Sequence, residues 1–67
     1  MKNTYNLLIT KWENREIVVD LIFDNYIEAK SQFFESYPKV DSNIYHLHLV
    51  RLESNVPVLL DEKKRGE

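Results

Sequence analysis

The chain has 67 residues, 43% of them hydrophobic and 30% charged, with a formal net charge of −2. A chain of this length buries only about 60% of the surface it exposes when unfolded, so it holds one thin core and has little room for a deep pocket beside it. Cysteine is absent and the one glycine is Gly66, which removes disulfides, thiolate chemistry and glycine-rich phosphate loops, while scattered Lys and Arg argue against direct nucleic-acid binding.

Residues 5–11 read as a half-buried strand, with Tyr5, Leu7 and Ile9 alternating against polar neighbours. Glu13, Asn14 and Arg15 form a polar turn, since asparagine tolerates the left-handed backbone a tight turn needs. Residues 16–23 give the strongest strand signal, with Ile17, Val19, Leu21 and Phe23 on one face and Glu16, Val18, Asp20 and Ile22 on the other. A three-residue turn sets Lys11 opposite Ile17, Ile9 opposite Val19 and Leu7 opposite Leu21. That register gathers the apolar sets on one side, and a slip of one residue would scatter them.

Asp24 and Asn25 can cap a helix, and Asn25 with Glu28 resembles a capping box. Residues 26–37 have helical period: Tyr26, Ala29, Phe33 and Tyr37 form a stripe, with Ile27 and Phe34 at its flank. Lys30 lies near the stripe and is expected to snorkel. The aromatic stripe Tyr26, Phe33, Phe34 and Tyr37 is expected to be core. Pro38 is expected to stop the helix.

After a polar loop, residues 44–53 form a long strand in which Tyr45, Leu47 and Leu49 alternate with Ile44, His46, His48, Val50 and Leu52. Ser54 and Asn55 make a short turn. Residues 56–60 return as a last strand, and because Pro57 cannot donate to a ladder this strand belongs at an edge or pairs by its other side. The expected domain is therefore residues 1–61, with 62–67 as a charged, disordered tail containing the one basic cluster, Lys63-Lys64-Arg65. The fold class is α+β: a β-β-α-β-β order giving a mostly antiparallel four-stranded sheet with one helix packed on one face. Strand order is open, and a parallel middle pair is one outcome if the two hairpins meet edge to edge.

Nothing in this pattern builds an active site, so a non-enzymatic protein is expected. The serines lie on the polar helix face or in loops, away from any nucleophile elbow. An Asp20/His48 dyad lacks a cleft. His46 and His48, two apart on one strand, share a face at roughly 6.5–7 Å along it and need a third ligand to chelate a metal. Asp20 is that ligand only if its strand neighbours theirs. Neither a cofactor nor a small-molecule substrate is evident.

The second sheet face is the informative feature. With Ile17, Val19, Leu21, Tyr45, Leu47 and Leu49 toward the helix, the reverse carries Leu8, Thr10, Trp12, Val18, Asp20, Ile22, Ile44, His46, His48, Val50 and Leu52. An antiparallel sheet facing water is normally polar on that side, and contiguous exposed apolar surface marks an interaction site. Trp12, Val18, Ile22, His46, His48 and Val50 are the candidate partner-binding residues. The expected function is a small adaptor or inhibitor that binds a protein partner, or a second copy as a homodimer, through this face or a sheet edge. The alternatives are a metal- or small-molecule-binding protein using His46 and His48, and a nucleic-acid accessory protein using Lys11, Arg15, Arg51 and the basic tail. The opening Met1-Lys2-Asn3-Thr4-Tyr5 lacks the apolar stretch of a signal peptide, and no apolar run approaches the ~20 residues of a membrane span, so a soluble cytoplasmic protein is expected. The chain resembles the many short α+β accessory proteins of bacteria and their phages, and its richness in Asn, Lys, Ile and Tyr suits a low-GC genome. No diagnostic motif lies behind that likeness, and it implies no functional residue.

Overall fold

The computed structural model describes residues 3–67; Met1 and Lys2, part of the polar opening, lie outside the described residues. The elements run β1 (Thr4–Lys11), β2 (Ile17–Phe23), α1 (Tyr26–Ser36), a 3-10 turn (Tyr37–Lys39), β3 (Tyr45–Glu53) and β4 (Val56–Lys63). The strands form one sheet in the order β2-β1-β3-β4, every pair antiparallel. The helix decides the middle pairing. At 1.5 Å per residue its 11 residues span about 16 Å, and the 3-10 turn adds about 6 Å, together close to the roughly 23 Å of the seven-residue β2. They carry the chain back to the end where β1 finishes, and Lys11 pairs with Tyr45. β3 therefore runs antiparallel to β1, and the parallel alternative is overturned.

Asn25 caps α1 as its sequence indicates: its side-chain oxygen accepts from the backbone N–H of Ile27 at 2.8 Å and of Glu28 at 3.3 Å. α1 ends at Ser36 with Tyr37 as its C-cap, just before Pro38 as expected, and the chain continues as a 3-10 turn through the proline. Pro38 sits in the first turn of the 3-10 segment, where a missing N–H leaves no bond unmade. The helix buries Ala29 and Phe33 against Leu7 of β1 and Leu47 and Leu49 of β3, with Tyr5, Ile9, Phe23, Tyr37, Val40 and Leu60 packed around them. The aromatic stripe is narrower than its spacing predicts. Phe33 is core and Tyr37 half-buried, but Phe34 is 57% exposed and Tyr26 and Ile27 also face outward. Eleven residues over a small sheet present one turn-spaced row to it, and the flanking row has nothing to cover it.

The first hairpin follows the expected pairing through Leu7–Leu21 and Ile9–Val19, then shifts. Thr10, not Lys11, lies opposite Ile17, because a bulge at Val18 adds a residue to β2. The reason is the turn. Lys11 N–H donates to the Glu16 carbonyl at 2.9 Å, closing a loop one residue longer than expected, and Arg15 takes the left-handed conformation at φ 59°. The bulge moves Ile17 from the helix side to the reverse face beside Thr10. The second hairpin turns through Ser54 and Asn55, both at positive φ as a type I′ turn requires.

β4 runs to Lys63, three residues past the expected end, with a second bulge opposite the Leu49–Val50 step. Glu62 and Lys63 thus belong to the strand. Lys63 is only 6% exposed; its Nζ donates to the Tyr37 carbonyl at 2.6 Å and the Val40 carbonyl at 2.8 Å, and it lies 4.7 Å from the Tyr37 ring centroid. Beyond it, Tyr37 Oη donates to Glu67 Oε2 at 2.8 Å and Ser42 Oγ to the Glu67 carbonyl at 2.7 Å. No helix among the described residues is long and apolar enough to cross a membrane.

Candidate functional site

The sheet's helix-free face is built in rows by the strand pairing. Ile17, Thr10 and His46 make one row; Asp20, Leu8, His48 and Glu62 the next; Ile22, Asn6, Val50 and Leu59 the third. Trp12 leaves the first hairpin over this face. Its backbone N–H donates to the Ile44 carbonyl at 3.1 Å and its indole Nε1–H to the Ser42 carbonyl at 2.8 Å, so both ends of the residue are tied down. The ring is held flat against His46, at 4.4 Å between centroids and 22° between planes. His46 in turn stacks on His48 at 4.3 Å and 24°. Period-2 alternation puts the two histidines on one face, and the anchored indole packs on them from the hairpin end.

This stack sets the electrostatics. Burial, and then the neighbouring His46, hold the His48 imidazole below the usual histidine range. Its Nδ1 lies 3.3 Å from the His46 carbonyl oxygen, which accepts when that nitrogen carries the proton. His46 Nε2 is 3.7 Å from Glu62 Oε2, beyond hydrogen-bond reach, and is buried without a partner. Next to the stack a groove of about 460 Å³ is lined by Leu8, Thr10, Lys11, Trp12, Arg15, Ile17, His46 and His48.

Of the six candidate residues, Trp12, His46 and His48 come together in the stack, and His46 and Val50 lie on one strand face with His48 between them. Ile22 stands in the Val50 row, separated from it by Asn6, and is 66% exposed. Val18 does not join them: it is the extra residue of the bulge, exposed, and lines no part of the groove. Sequence reasoning left Ile17, Leu59 and Glu62 off this face and gave Arg15 only to the nucleic-acid alternative. Ile17 arrives through the bulge, which no residue type announces. Arg15 arrives through its left-handed turn conformation. Glu62 arrives because β4 continues, a continuation foreshadowed only by the apolar Leu59-Leu60 pair before it.

The topology removes Asp20 as a partner of the histidines, both as a dyad member and as a third metal ligand. Asp20 and His48 are separated by Leu8 on the intervening strand, two strand steps or roughly 10 Å apart, so they form no dyad. The Asp20 carboxylate instead accepts from Asn6 Nδ2 at 2.9 Å. The two imidazoles are stacked on each other, 4.3 Å between centroids and 24° between planes. Among the described residues no group of three His, Asp or Glu side chains comes together to hold a metal.

No family model, no curated protein and no solved structure matches this chain. The functional reading therefore rests on the face itself.

Proposed function

We propose that this chain is a non-enzymatic interaction module that docks a protein partner on the helix-free face of its sheet. One observation carries the reading: Trp12, Ile22 and Val50 all lie outside the core formed by Leu7, Ala29, Phe33, Leu47 and Leu49, on a face that no element among the described residues covers. Ile22 and Leu59, in the Val50 row, are more than half exposed. A face this apolar, stiffened by a tied-down indole on two stacked imidazoles, offers a partner burial at little entropic cost. Its rim carries Arg15 and Lys11 at the hairpin end, Lys11 in an ion pair with Glu16 at 3.6 Å, and Glu62 beside His46. A partner with an acidic group toward the hairpin and a basic group toward Glu62 complements that rim.

The test is site-specific photo-crosslinking in the host cell, with the photoreactive residue at Val50 or Leu59 and, as controls, at Ser31 or Lys64. The proposal expects a discrete heterologous adduct from positions 50 and 59 and none from the controls. Equal labelling from all four positions, or no adduct from the sheet face, overturns it.

A further inference from the structure

The sheet has two free edges, and they differ. β4 is guarded: Pro57 removes a donor, the bulge at Leu60 twists the strand, and Asp61 and Glu62 place charge along it. β2 reads Ile-Val-Val-Asp-Leu-Ile-Phe, with a single charge already engaged by Asn6. Its outer side presents unpaired N–H and C=O groups, and Ile17, Val18, Leu21 and Ile22 are all exposed. The helix does not protect it, since α1 buries its core row against β1 and β3.

We propose that β2 pairs with β2 of a second copy of this chain, antiparallel about a two-fold axis at Leu21. The occupant follows from self-complementarity. The bulge at Val18 ends regular pairing geometry, which leaves residues 19–23 as the usable edge. An axis at Leu21 centres that stretch. On the helix side it sets Val19 opposite the partner's Phe23 and Leu21 opposite its own twin. On the reverse side it sets Asp20 opposite the partner's Ile22. Every position keeps its face, as an isologous pair demands. An axis at Asp20 would bring two carboxylates face to face, which is destabilising. An axis at Val19 would draw the bulge into the ladder. The product is one eight-stranded sheet with both helices on the same side and the two helix-free faces joined into a single surface. This inference deepens the interaction reading by naming what one edge binds; docking on the sheet face stands or falls separately. A five-residue edge lies at the small end of specific interfaces, so the dimer forms reversibly and depends on concentration.

The native chain has no cysteine, so Leu21→Cys introduces a single thiol. Residues directly opposite in an antiparallel pair have Cα atoms about 4.5–5.5 Å apart, within the span a disulfide bridges. Under mild oxidation Leu21→Cys is expected to give a non-reduced gel band at twice 8.1 kDa, while Val56→Cys on the β4 edge stays at 8.1 kDa. Sedimentation velocity of the unmodified chain is expected to show dimer that Leu21→Lys abolishes with the far-UV spectrum unchanged. Cross-linking of Leu21→Cys no faster than Val56→Cys overturns the inference, whether the unmodified chain is monomeric or dimeric. Loss of the edge pairing with the Val50 and Leu59 adducts intact removes the dimer alone; loss of the adducts with the Leu21 disulfide intact removes the docking face alone.

Discussion

Lys63 is a lysine the fold depends on, and replacing it with methionine tests the description of the C-terminal strand. Methionine keeps the apolar stem but removes the ammonium that donates to the Tyr37 and Val40 carbonyls at 2.6 and 2.8 Å. Tyr37 closes α1, so one of these acceptors lies at the negative end of the helix, where a cation is favoured. Each carbonyl left without a donor costs roughly 1–3 kcal/mol, and the lost contact with the Tyr37 ring roughly 0.5–1 kcal/mol more. Removing a buried charge returns part of this, so a net loss of about 3 kcal/mol is expected for Lys63→Met. A domain of this size is stable by only about 3–10 kcal/mol, so the loss is a large share. In urea, with m near 1 kcal/mol/M for so small a chain, the midpoint should fall by about 3 M at unchanged m. Lys64→Met, at the exposed neighbouring position, should shift it little. If the two variants unfold at the same midpoint, Lys63 does not tie the strand to the turn and the reasoning is wrong.

Two further outcomes follow from the same structure. Phe33→Ala, emptying the largest buried side chain, should cost about 3–5 kcal/mol by urea denaturation, whereas Phe34→Ala should cost far less; comparable losses would mean the helix is rotated from its described face. For His48, burial and the adjacent His46 depress the folded value, so below the unfolded value of about 6.5 the unfolded chain binds the extra proton first. Stability from this group is complete above pH 6.5 and is lost as pH falls toward the folded value; His48→Gln should flatten that decline, and an unaltered pH profile would show that the imidazole is not its source.

Much of the architecture was legible because binary alternation fixes faces. Leu7–Leu21 and Ile9–Val19 pair as their spacing demands, Asn25 caps where a short polar side chain precedes a helical period, and Pro57 lies on an edge strand. What could not be read depended on backbone geometry or on distant parts of the chain. Whether Ile17 falls inside or outside turns on one inserted residue at Val18, and Val and Ile carry no mark of a bulge. Lys63 looks like solvated tail until two carbonyls some 25 residues earlier arrive beside it, which only the tertiary fold can supply. Phe34 has a core residue's chemistry but lies one helical step off the covered row. At the candidate site, alternation located His46, His48 and Val50. The face-to-face stack with Trp12 depended on the Ser42 carbonyl, a partner 30 residues away.

Side-chain oxidation by hydroxyl radicals tests the central claim most directly, comparing the dilute purified protein with the same protein inside its host. Shielding of Trp12 and Val50 in the cell, with Phe34 on the outward helix face equally reactive in both settings, is the predicted result. Unchanged reactivity at Trp12 and Val50, or shielding confined to Phe34, would contradict it.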